Sequence, residues 1–369
     1  MGTSAAGLYS PLALGSLTLP NRFVMPAMQR GFCKDGVPLP ELASYYARRA
    51  AGGVGLIISE SNAVDHPSAT RQPSAARLDP ATVGAWAPCV EAVHAAGGHM
   101  LLQLWHEGGL RSNVDGQTLS PSGLAHPGRE GGRAFAAADL AAVREAFVRS
   151  ARLAQSIGAD GVEVHAAHGY LLDQFLWAAI NQREDGYGGA DIAARARFPA
   201  EIVAAIRAAC GPRFLISLRF SQWKENDYAA RIAQTPEELT TLTQLLRAAG
   251  TDVFHASTRR FWLPEWPGSD LGFAGWVRKV GGLPTITVGS VGLDRDVMES
   301  FHAPDEPELR LEFAMGELER RFARGEFDLV AVGRSLIADP DWVKKVQARD
   351  FGAVRAFRKA DVAALSWEF

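Results

Sequence analysis

The chain has 369 residues, of which 47% are apolar and 21% charged, and its net charge is −3. This composition is typical of a globular protein and excludes a disordered or fibrous one. Lys and Arg are scattered along the chain, so the sequence predicts neither nucleic acid nor a membrane as a partner. Three cysteines are too few for a disulfide framework or an iron–sulfur cluster. With no secretory signal and no apolar run of ~20 residues, we expect a cytoplasmic protein.

Eight short apolar runs are predicted to form β-strands, and the amphipathic stretches that follow them are predicted to form helices. The predicted strands are Asn21–Met28, Val54–Glu60, Gly98–His106, Gly161–His168, Phe214–Ser221, Asp252–Thr258, Pro284–Ser290 and Phe327–Arg334. The predicted helices are Glu41–Ala51, Ala81–Ala96, Ala138–Ile157, Ala194–Cys210, Pro236–Ala249, Asp270–Val280, Leu311–Arg324 and Asp339–Arg349. This alternation, without a break in composition, predicts an α/β fold: a single (β/α)8 TIM barrel that occupies residues 1–369 as one domain.

The alternative architecture is an open doubly wound sheet with a Gly-rich loop after its first strand. That strand instead ends in Met25-Pro26-Ala27-Met28-Gln29, so the barrel is favoured. An N-terminal hairpin over Leu8–Leu19 would plug the bottom of the barrel. The connections on the C-terminal face, where barrels carry their active sites, are predicted to be long at Glu107–Ala137, Gly169–Ala193 and Arg259–Ser269. The segment Phe301–Leu311 is interpreted as a surface insert.

The densest polar cluster follows the fourth predicted strand, where His165, His168 and Tyr170 lie within six residues. Two imidazoles and a phenol at the catalytic rim of a barrel suit the binding and protonation of an oxygen-bearing substrate. The structural alternative is a strand end whose histidines only satisfy backbone groups.

A metal site is a second interpretation of this cluster, with His106 as a third ligand and Glu60 or Glu163 as a carboxylate ligand. Because the sequence holds no pair of histidines at the HExxH spacing, we predict no metal site.

Small residues also follow the seventh and eighth predicted strands, at Gly289-Ser290 and Gly333-Arg334. Small residues there let backbone amides reach a phosphate group, and an arginine adds a bidentate donor. Although glycine could merely turn the chain, the doubled pattern predicts a phosphate-binding site.

Two strands of the predicted barrel carry an unexpected polar residue, Gln103 and Arg219. A charged residue inside an apolar strand is costly unless it meets an anion or hydrogen-bond acceptors. Beside a phosphate site, Arg219 therefore suggests a cofactor with an electron-rich head group across the barrel mouth. An internal ion pair with Glu163 is the alternative.

These motifs together resemble the Old Yellow Enzyme family of FMN-dependent NAD(P)H:flavin oxidoreductases, over nearly the full length of the chain. The resemblance is carried by NRFVMPAM at 21–28, AGGVGLI at 51–57, HAAHGY at 165–170, NQREDGYGG at 181–189 and VGR at 332–334.

The resemblance implies non-covalent FMN, reduced by NADH or NADPH, and a small-molecule substrate with an activated C=C bond, such as an enone. In a ping-pong reaction, His165 and His168 would bind the carbonyl oxygen, and Tyr170 would protonate the α-carbon after hydride transfer. Trp105 would shape the substrate pocket. The remaining residues would bind FMN: Pro26, Ala27, Met28, Gln29 and Ser61 along the flavin, Gln103 and Arg219 at its pyrimidine edge, and Gly289, Ser290, Gly333 and Arg334 at its phosphate.

Some features stay open in the sequence. Gln29 stands where many relatives have Cys or Thr, which leaves the flavin potential undetermined, and Ala27 stands where they have Pro, which leaves the shape of the flavin-facing backbone open. The aromatic loop Arg259–Trp266 is either a lid or an apolar cluster of its own. The choice between NADH and NADPH and the presence of a homo-oligomer are not decided. The competing function is a flavin-free barrel lyase or isomerase acting on a phosphorylated metabolite, which predicts a catalytic Lys or paired carboxylates at strand ends.

Overall fold

The structure is a computed structural model that describes residues 7–365. Its strands are β1 (Leu12–Leu14), β2 (Leu17–Leu19), β3 (Phe23–Met25), β4 (Cys33–Lys34), β5 (Val37–Pro38), β6 (Leu56–Val64), β7 (Ala76–Leu78), β8 (His99–Trp105), β9 (Leu119–Ser120), β10 (Leu124–His126), β11 (Arg129–Glu130), β12 (Arg133–Ala134), β13 (Gly161–His168), β14 (Leu215–Lys224), β15 (Val253–Ser257), β16 (Thr285–Val288) and β17 (Leu329–Ala331). Its helices are α1 (Glu41–Ala51), α2 (Ala87–Ala95), α3 (Ala137–Ser156), α4 (Leu171–Leu176), α5 (Ile192–Cys210), α6 (Pro236–Ala248), α7 (Phe273–Gly281), α8 (Val297–His302), α9 (Leu311–Ala323), α10 (Arg334–Ala338) and α11 (Trp342–Gln347). Across the described range, no helix combines the length and apolarity of a bilayer span.

Eight parallel strands close into a barrel in the order β3, β6, β8, β13, β14, β15, β16, β17. Closure is complete because β3 pairs with both β6 and β17. Each of the eight predicted strands overlaps one of these, and the predicted (β/α)8 fold is confirmed. Since side chains alternate between the two faces of a strand, every second residue points into the barrel.

The N-terminal hairpin closes the lower end of the barrel, as predicted. Strands β1 and β2 pair antiparallel, and Leu14 and Leu19 are fully buried. They join an apolar layer made of Val24, Leu56, Ile58, Leu101, Leu215, Val253, Ile286, Val288, Leu329 and Ala331. This layer fills the lower interior, so the barrel is a packed core beneath an open upper end.

The segment between β16 and α9 adds a short helix, α8, at the edge of the cavity. The Asp296 side chain accepts the backbone N–H of Glu299, and the Glu299 carboxylate accepts the N–H of Asp296, which is a capping box at the start of α8. The helix carries Phe301 to the upper end of the barrel. Phe301 is nevertheless 45% exposed, in agreement with the interpretation of Phe301–Leu311 as a surface insert.

A buried ion pair fixes the chain that follows β13. Lys224, the last residue of β14, places Nζ 2.8 Å from Asp173 Oδ1 in α4, and neither side chain is exposed to solvent. The other oxygen of Asp173 accepts the backbone N–H of Gly169 at 2.6 Å. Burial raises the pKa of Asp173 to about 6, although Lys224 opposes the shift. The pair thus ties the end of β14 to the turn that precedes Tyr170.

Lys224→Met should destabilise the fold in a pH-dependent way, because it leaves the buried Asp173 carboxylate without its cationic partner. We expect a loss of about 3–5 kcal/mol in the free energy of unfolding at pH 8. Folded Asp173 binds a proton more tightly than unfolded Asp, whose pKa is about 3.9. Since Lys224 lowers the pKa of Asp173, its removal should raise that pKa above about 6, and the loss should shrink as the pH falls toward 6 and Asp173 of the variant becomes neutral.

Urea unfolding at pH 8 and at pH 5 measures this difference. Lys34→Met, at an exposed lysine, is the control and should stay within about 0.5 kcal/mol of the wild type. A loss of equal size at both pH values would contradict a role for the Asp173 charge.

Candidate functional site

The C-terminal ends of the barrel strands open into a cavity of about 340 Å³. Every predicted site residue except Trp105 lines this cavity: Pro26, Ala27, Met28, Gln29, Ser61, Gln103, His165, His168, Tyr170, Arg219, Gly289, Ser290, Gly333 and Arg334. These residues come from seven stretches of the sequence, and the closed barrel brings them together at one end.

Trp105 lies behind the cavity. Its ring packs edge-on against Tyr170, with 5.3 Å between the ring centroids, and only 4% of the residue is exposed. It is thus placed to fix the position of the Tyr170 ring.

A buried carboxylate inside the barrel organises the floor of the cavity. Glu163 accepts hydrogen bonds from Gln103 Nε2 at 2.8 Å and Ser217 Oγ at 2.9 Å, and His255 Nδ1 lies 2.7 Å away. Burial raises the pKa of Glu163, but the charges and hydrogen bonds of His255, with Arg219 and Gln103, outweigh it and lower the pKa to about 2. Glu163 is therefore ionised at neutral pH.

Arg219 presents a cation to the cavity. Its Nη1 donates to the carbonyl oxygen of Ala27 at 3.2 Å and its Nη2 to Ser257 Oγ at 3.3 Å. Its Nε is buried without a partner among residues 7–365. The predicted alternative, an ion pair with Glu163, does not form within 4 Å in this range. Arg219 thus has donor capacity left for a bound group.

His165 is a neutral hydrogen-bond donor. Burial, followed by the charge of Arg219, lowers its pKa to about 3. Its Nδ1 lies 3.4 Å from Gln103 Nε2, whose amide N–H can only donate. The proton of the neutral ring therefore belongs on Nε2, and His165 offers an N–H group to an acceptor in the cavity.

His168 is held close to His165 by a strained backbone. Its φ of 64° is unusual for a residue with a side chain, and its N–H donates to Ser221 Oγ at 3.0 Å. Its Nε2 lies 2.8 Å from Ser257 Oγ, and its ring stacks on Trp223 at 4.8 Å. Burial and Arg219 hold its pKa well below the usual value, so this ring is neutral as well.

Tyr170 keeps its proton beside the two histidines. Its ring centroid is 5.3 Å from that of His165. Burial raises the pKa of its phenol above the usual value, and the negative charges of Glu225 and Glu107 add to the shift. Tyr170 is therefore a phenol at neutral pH and can donate a proton.

The predicted phosphate cradle at Gly289 and Ser290 consists of closely packed backbone in the lining of the cavity. Gly289 has a φ of 140°, and a Cβ there would lie 2.6 Å from the carbonyl oxygen of Thr258. Ser290 also has a positive φ, 53°, and its Oγ lies 2.7 Å from the carbonyl oxygen of Arg259. Close backbone packing at these positions explains why the chain carries small residues there.

Arg334 has a second role that the sequence did not predict. Its Nη1 donates to the carbonyl oxygen of Asp296 at 3.1 Å and contacts Ser300 Oγ. Burial lowers the pKa of its guanidinium to about 10, so it is still charged at neutral pH. Arg334 therefore anchors the start of α8 at the cavity.

Several residues that line the cavity were not predicted from the sequence. One group lies at the end of β14 or just after it: Trp223, Glu225 and Tyr228. A second group comes from α8: Val297, Met298 and Phe301. The aromatic Trp and Tyr beside a strand end gave a signal for the first group, whereas only the path of the chain brings α8 to the cavity.

The aromatic loop Arg259–Trp266 contributes only Arg259 to the lining. Its rings pack elsewhere: Trp262 contacts Phe261 and Phe313. Trp266 packs against Trp276. Phe261 belongs to the main apolar core, and Trp262 and Trp266 pack against it, so the rings of this loop extend the core and do not cover the cavity.

The metal interpretation of the histidine cluster does not assemble in the structure. His106 lies outside the cavity lining, where its Nδ1 accepts the N–H of Gly108 and its Nε2 bonds to Ser68 Oγ. Glu60 instead accepts backbone N–H groups of Arg30 and Gly31.

Comparison with known proteins shows the family to which the chain belongs. The model of the NADH:flavin oxidoreductase / NADH oxidase family matches residues 7–305. An NADH oxidase of Thermoanaerobacter brockii is 34% identical over 94% of this chain, and the chain spans 51% of that relative, about half its length. An NADPH dehydrogenase of Halalkalibacterium halodurans is 31% identical over 92% of this chain and 93% of its own.

A solved structure of morphinone reductase is 30% identical and superposes with a TM-score of 0.78, covering 98% of this chain and 94% of its own. The predicted resemblance to Old Yellow Enzymes is thereby confirmed, and so are FMN and a nicotinamide nucleotide at the level of the family. The chain belongs to the NADH:flavin oxidoreductase / NADH oxidase family of flavin-dependent oxidoreductases.

Proposed function

We propose that this chain is an FMN-dependent ene-reductase, which uses NADH or NADPH to reduce a C=C bond conjugated with a carbonyl group. One observation carries the proposal: His165, His168 and Tyr170 face the same cavity as Arg219. That arrangement joins two hydrogen-bond donors and a proton donor to a cation suited to an electron-rich cofactor.

The residues of the cavity fit FMN. The unpartnered Nε of Arg219 supplies a donor and a positive charge for the pyrimidine edge of a flavin. The side chains of Gln103 and Ser61 lie beside it, hydrogen-bonded to each other at 2.6 Å. Gly289 and Arg334 offer close backbone and a cation to a phosphate. Bound FMN supplies the hydride, which it receives from the nicotinamide nucleotide.

The two histidines bind the substrate in this proposal. The Nε2–H of His165 donates to the carbonyl oxygen. His168, whose Nε2 is bonded to Ser257 Oγ, donates to the same oxygen through Nδ1. The centroids of the two rings are 5.2 Å apart. Two neutral donors draw electron density from the conjugated alkene and make its β-carbon electrophilic. The phenol of Tyr170 then delivers a proton to the α-carbon. A related protein of known structure is named morphinone reductase.

The chemistry of the lining disfavours the lyase or isomerase alternative. No lysine lines the cavity within the described chain, and the nearby Lys224 is paired with Asp173. Of the acidic residues in the lining, Asp296 is bonded to Arg259 Nε at 2.9 Å. Glu225 is then left without the second carboxylate that paired acid–base chemistry needs.

Visible absorption of the purified protein tests the proposal. We expect a yellow protein that is bleached by NADH or NADPH without oxygen and regains its colour when an enone is added. A protein that stays colourless after incubation with FMN would overturn the flavin assignment. Reduction by the nucleotide without reoxidation by any activated alkene would overturn the ene-reductase assignment alone.

Tyr170→Phe should separate the two half-reactions. Loss of the phenol should slow alkene reduction by about 100-fold or more, because general acids contribute a factor of that size. Reduction of the flavin by the nucleotide should change little, since it requires no proton from Tyr170. Stopped-flow absorbance measures each step, and an equal loss in both would contradict the assigned role.

Gly289→Ala should weaken flavin retention. A Cβ at this φ would meet the Thr258 carbonyl oxygen and displace the backbone of the phosphate cradle. A cost of about 1–3 kcal/mol for such strain corresponds to an FMN dissociation constant raised by a factor of about 5 to 150. Gly316→Ala is the matched control, because a Cβ on this glycine of α9 meets no atom within 4 Å. Titration of flavin fluorescence compares the variants, and equal affinities would contradict the cradle.

A further inference from the structure

Two histidines and an aspartate meet at the lower end of the barrel, remote from the cavity. His94 lies in the last turn of α2, His99 is the first residue of β8, and Asp160 precedes β13. His94 Nε2 is 2.7 Å from one oxygen of Asp160, and His99 Nδ1 is 3.1 Å from the other. The three donor atoms lie within 4.8 Å of one another.

The backbone fixes the carboxylate of this cluster before any ligand binds. Asp160 Oδ2 accepts the N–H of Met100 at 2.8 Å, and the N–H of Asp160 donates to the carbonyl oxygen of Met100 at 3.0 Å. Both contacts join the starts of β8 and β13. The carboxylate oxygens therefore point at the two imidazoles from a rigid part of the barrel.

The second ring nitrogen of His99 also has a partner. Its Nε2 lies 3.3 Å from the carbonyl oxygen of Thr18 in β2. Histidines that bind metal ions commonly donate their other N–H to a backbone carbonyl, which fixes the tautomer. Because Nδ1 of His99 faces a carboxylate oxygen, this position attracts a positive charge, which either a second proton on the ring or a metal ion can supply.

We propose that His94, His99 and Asp160 form a binding site for a divalent transition-metal ion, with Zn²⁺ as its best match. Two imidazole nitrogens and one carboxylate oxygen are ligands of zinc, and water completes the tetrahedron. Ligands about 2.0–2.1 Å from a tetrahedral ion lie about 3.3 Å apart. The two separations from the imidazoles to Asp160, 2.7 and 3.1 Å, are slightly shorter than that value, and all three donor atoms lie within 4.8 Å of one another.

The cluster can adjust to this geometry. The His94 side chain is 38% exposed at the end of a helix, so it can move outward by the small amount required. A bound ion would tie α2 to the starts of β8 and β13, and through His99 to the hairpin that plugs the barrel. The site would therefore stabilise the fold and take no part in hydride transfer. Its existence does not depend on the proposed function.

Zinc titration of the FMN-loaded protein tests this site. After treatment with a chelator, we expect one Zn²⁺ per chain in competition with a chromophoric chelator, and a higher melting temperature with zinc. Mg²⁺, which prefers oxygen ligands, should have neither effect. His94→Ala and His99→Ala should each weaken zinc binding by about tenfold or more and remove the thermal shift. The exposed His302→Ala is the matched control and should behave as the wild type.

Two results would overturn the proposal. One is a wild-type protein that binds no zinc, or binds it no more tightly than His94→Ala does. The other is zinc binding that persists in both variants and perturbs the flavin spectrum, which would place the ion at His165 and His168. Because His94 is exposed, its alanine variant should fold, and the melting temperature without zinc verifies this.

Discussion

Glu163 lies inside the barrel with no exposed surface, and it keeps its negative charge. A buried ion without partners costs several kcal/mol, so its place depends on donors supplied by neighbouring strands. Gln103 on β8, Ser217 on β14 and His255 on β15 provide them. In donating to Glu163, the Gln103 amide becomes oriented, and its oxygen accepts from Ser61 Oγ at the cavity. The carboxylate thus fixes polar side chains on both sides of the site.

The electrostatics of the cavity follow from this buried charge and from Arg219 above it. Arg219 has no ion-pair partner within 4 Å among the described residues, and its charge adds to burial in lowering the pKa of both His165 and His168. Neutral imidazoles that donate hydrogen bonds can polarise a carbonyl without adding positive charge beside a cation. The same burial keeps Tyr170 protonated. The surroundings therefore keep both imidazoles neutral and the phenol protonated at neutral pH.

Strained backbone conformations occur at several places in the described chain, and the upper end of the barrel is one of them. His168 and Ser290 both hold a positive φ although they carry side chains, and Gly289 occupies a conformation that other residues rarely adopt. Such conformations persist where the surrounding structure fixes them. Here the packed apolar layer and the hairpin residues Leu14 and Leu19 fill the lower interior. The packed lower half of the barrel therefore underlies the strained residues that line the cavity.

Several features were predictable from local sequence. Alternation of strands and helices gave the barrel, because periodicity depends only on near neighbours along the chain. The run from His165 to Tyr170 and the glycines at 289 and 333 marked the strand ends. Arg219 was conspicuous because a charge in an apolar strand requires a partner. Family motifs then assigned chemistry to positions that periodicity alone had only located.

Only the tertiary structure decided which of these side chains meet. It packed Trp105 against Tyr170 and paired Lys224 with Asp173. It made His255, and not Arg219, the ion-pair partner of Glu163. It also brought His94 and Asp160, 66 residues apart, into contact. Such contacts depend on strand register and on the path of loops, and a slip of one residue would turn each side chain to the opposite face. The sequence by itself therefore determined the elements and the chemistry they carry, whereas closure of the barrel decided the partners.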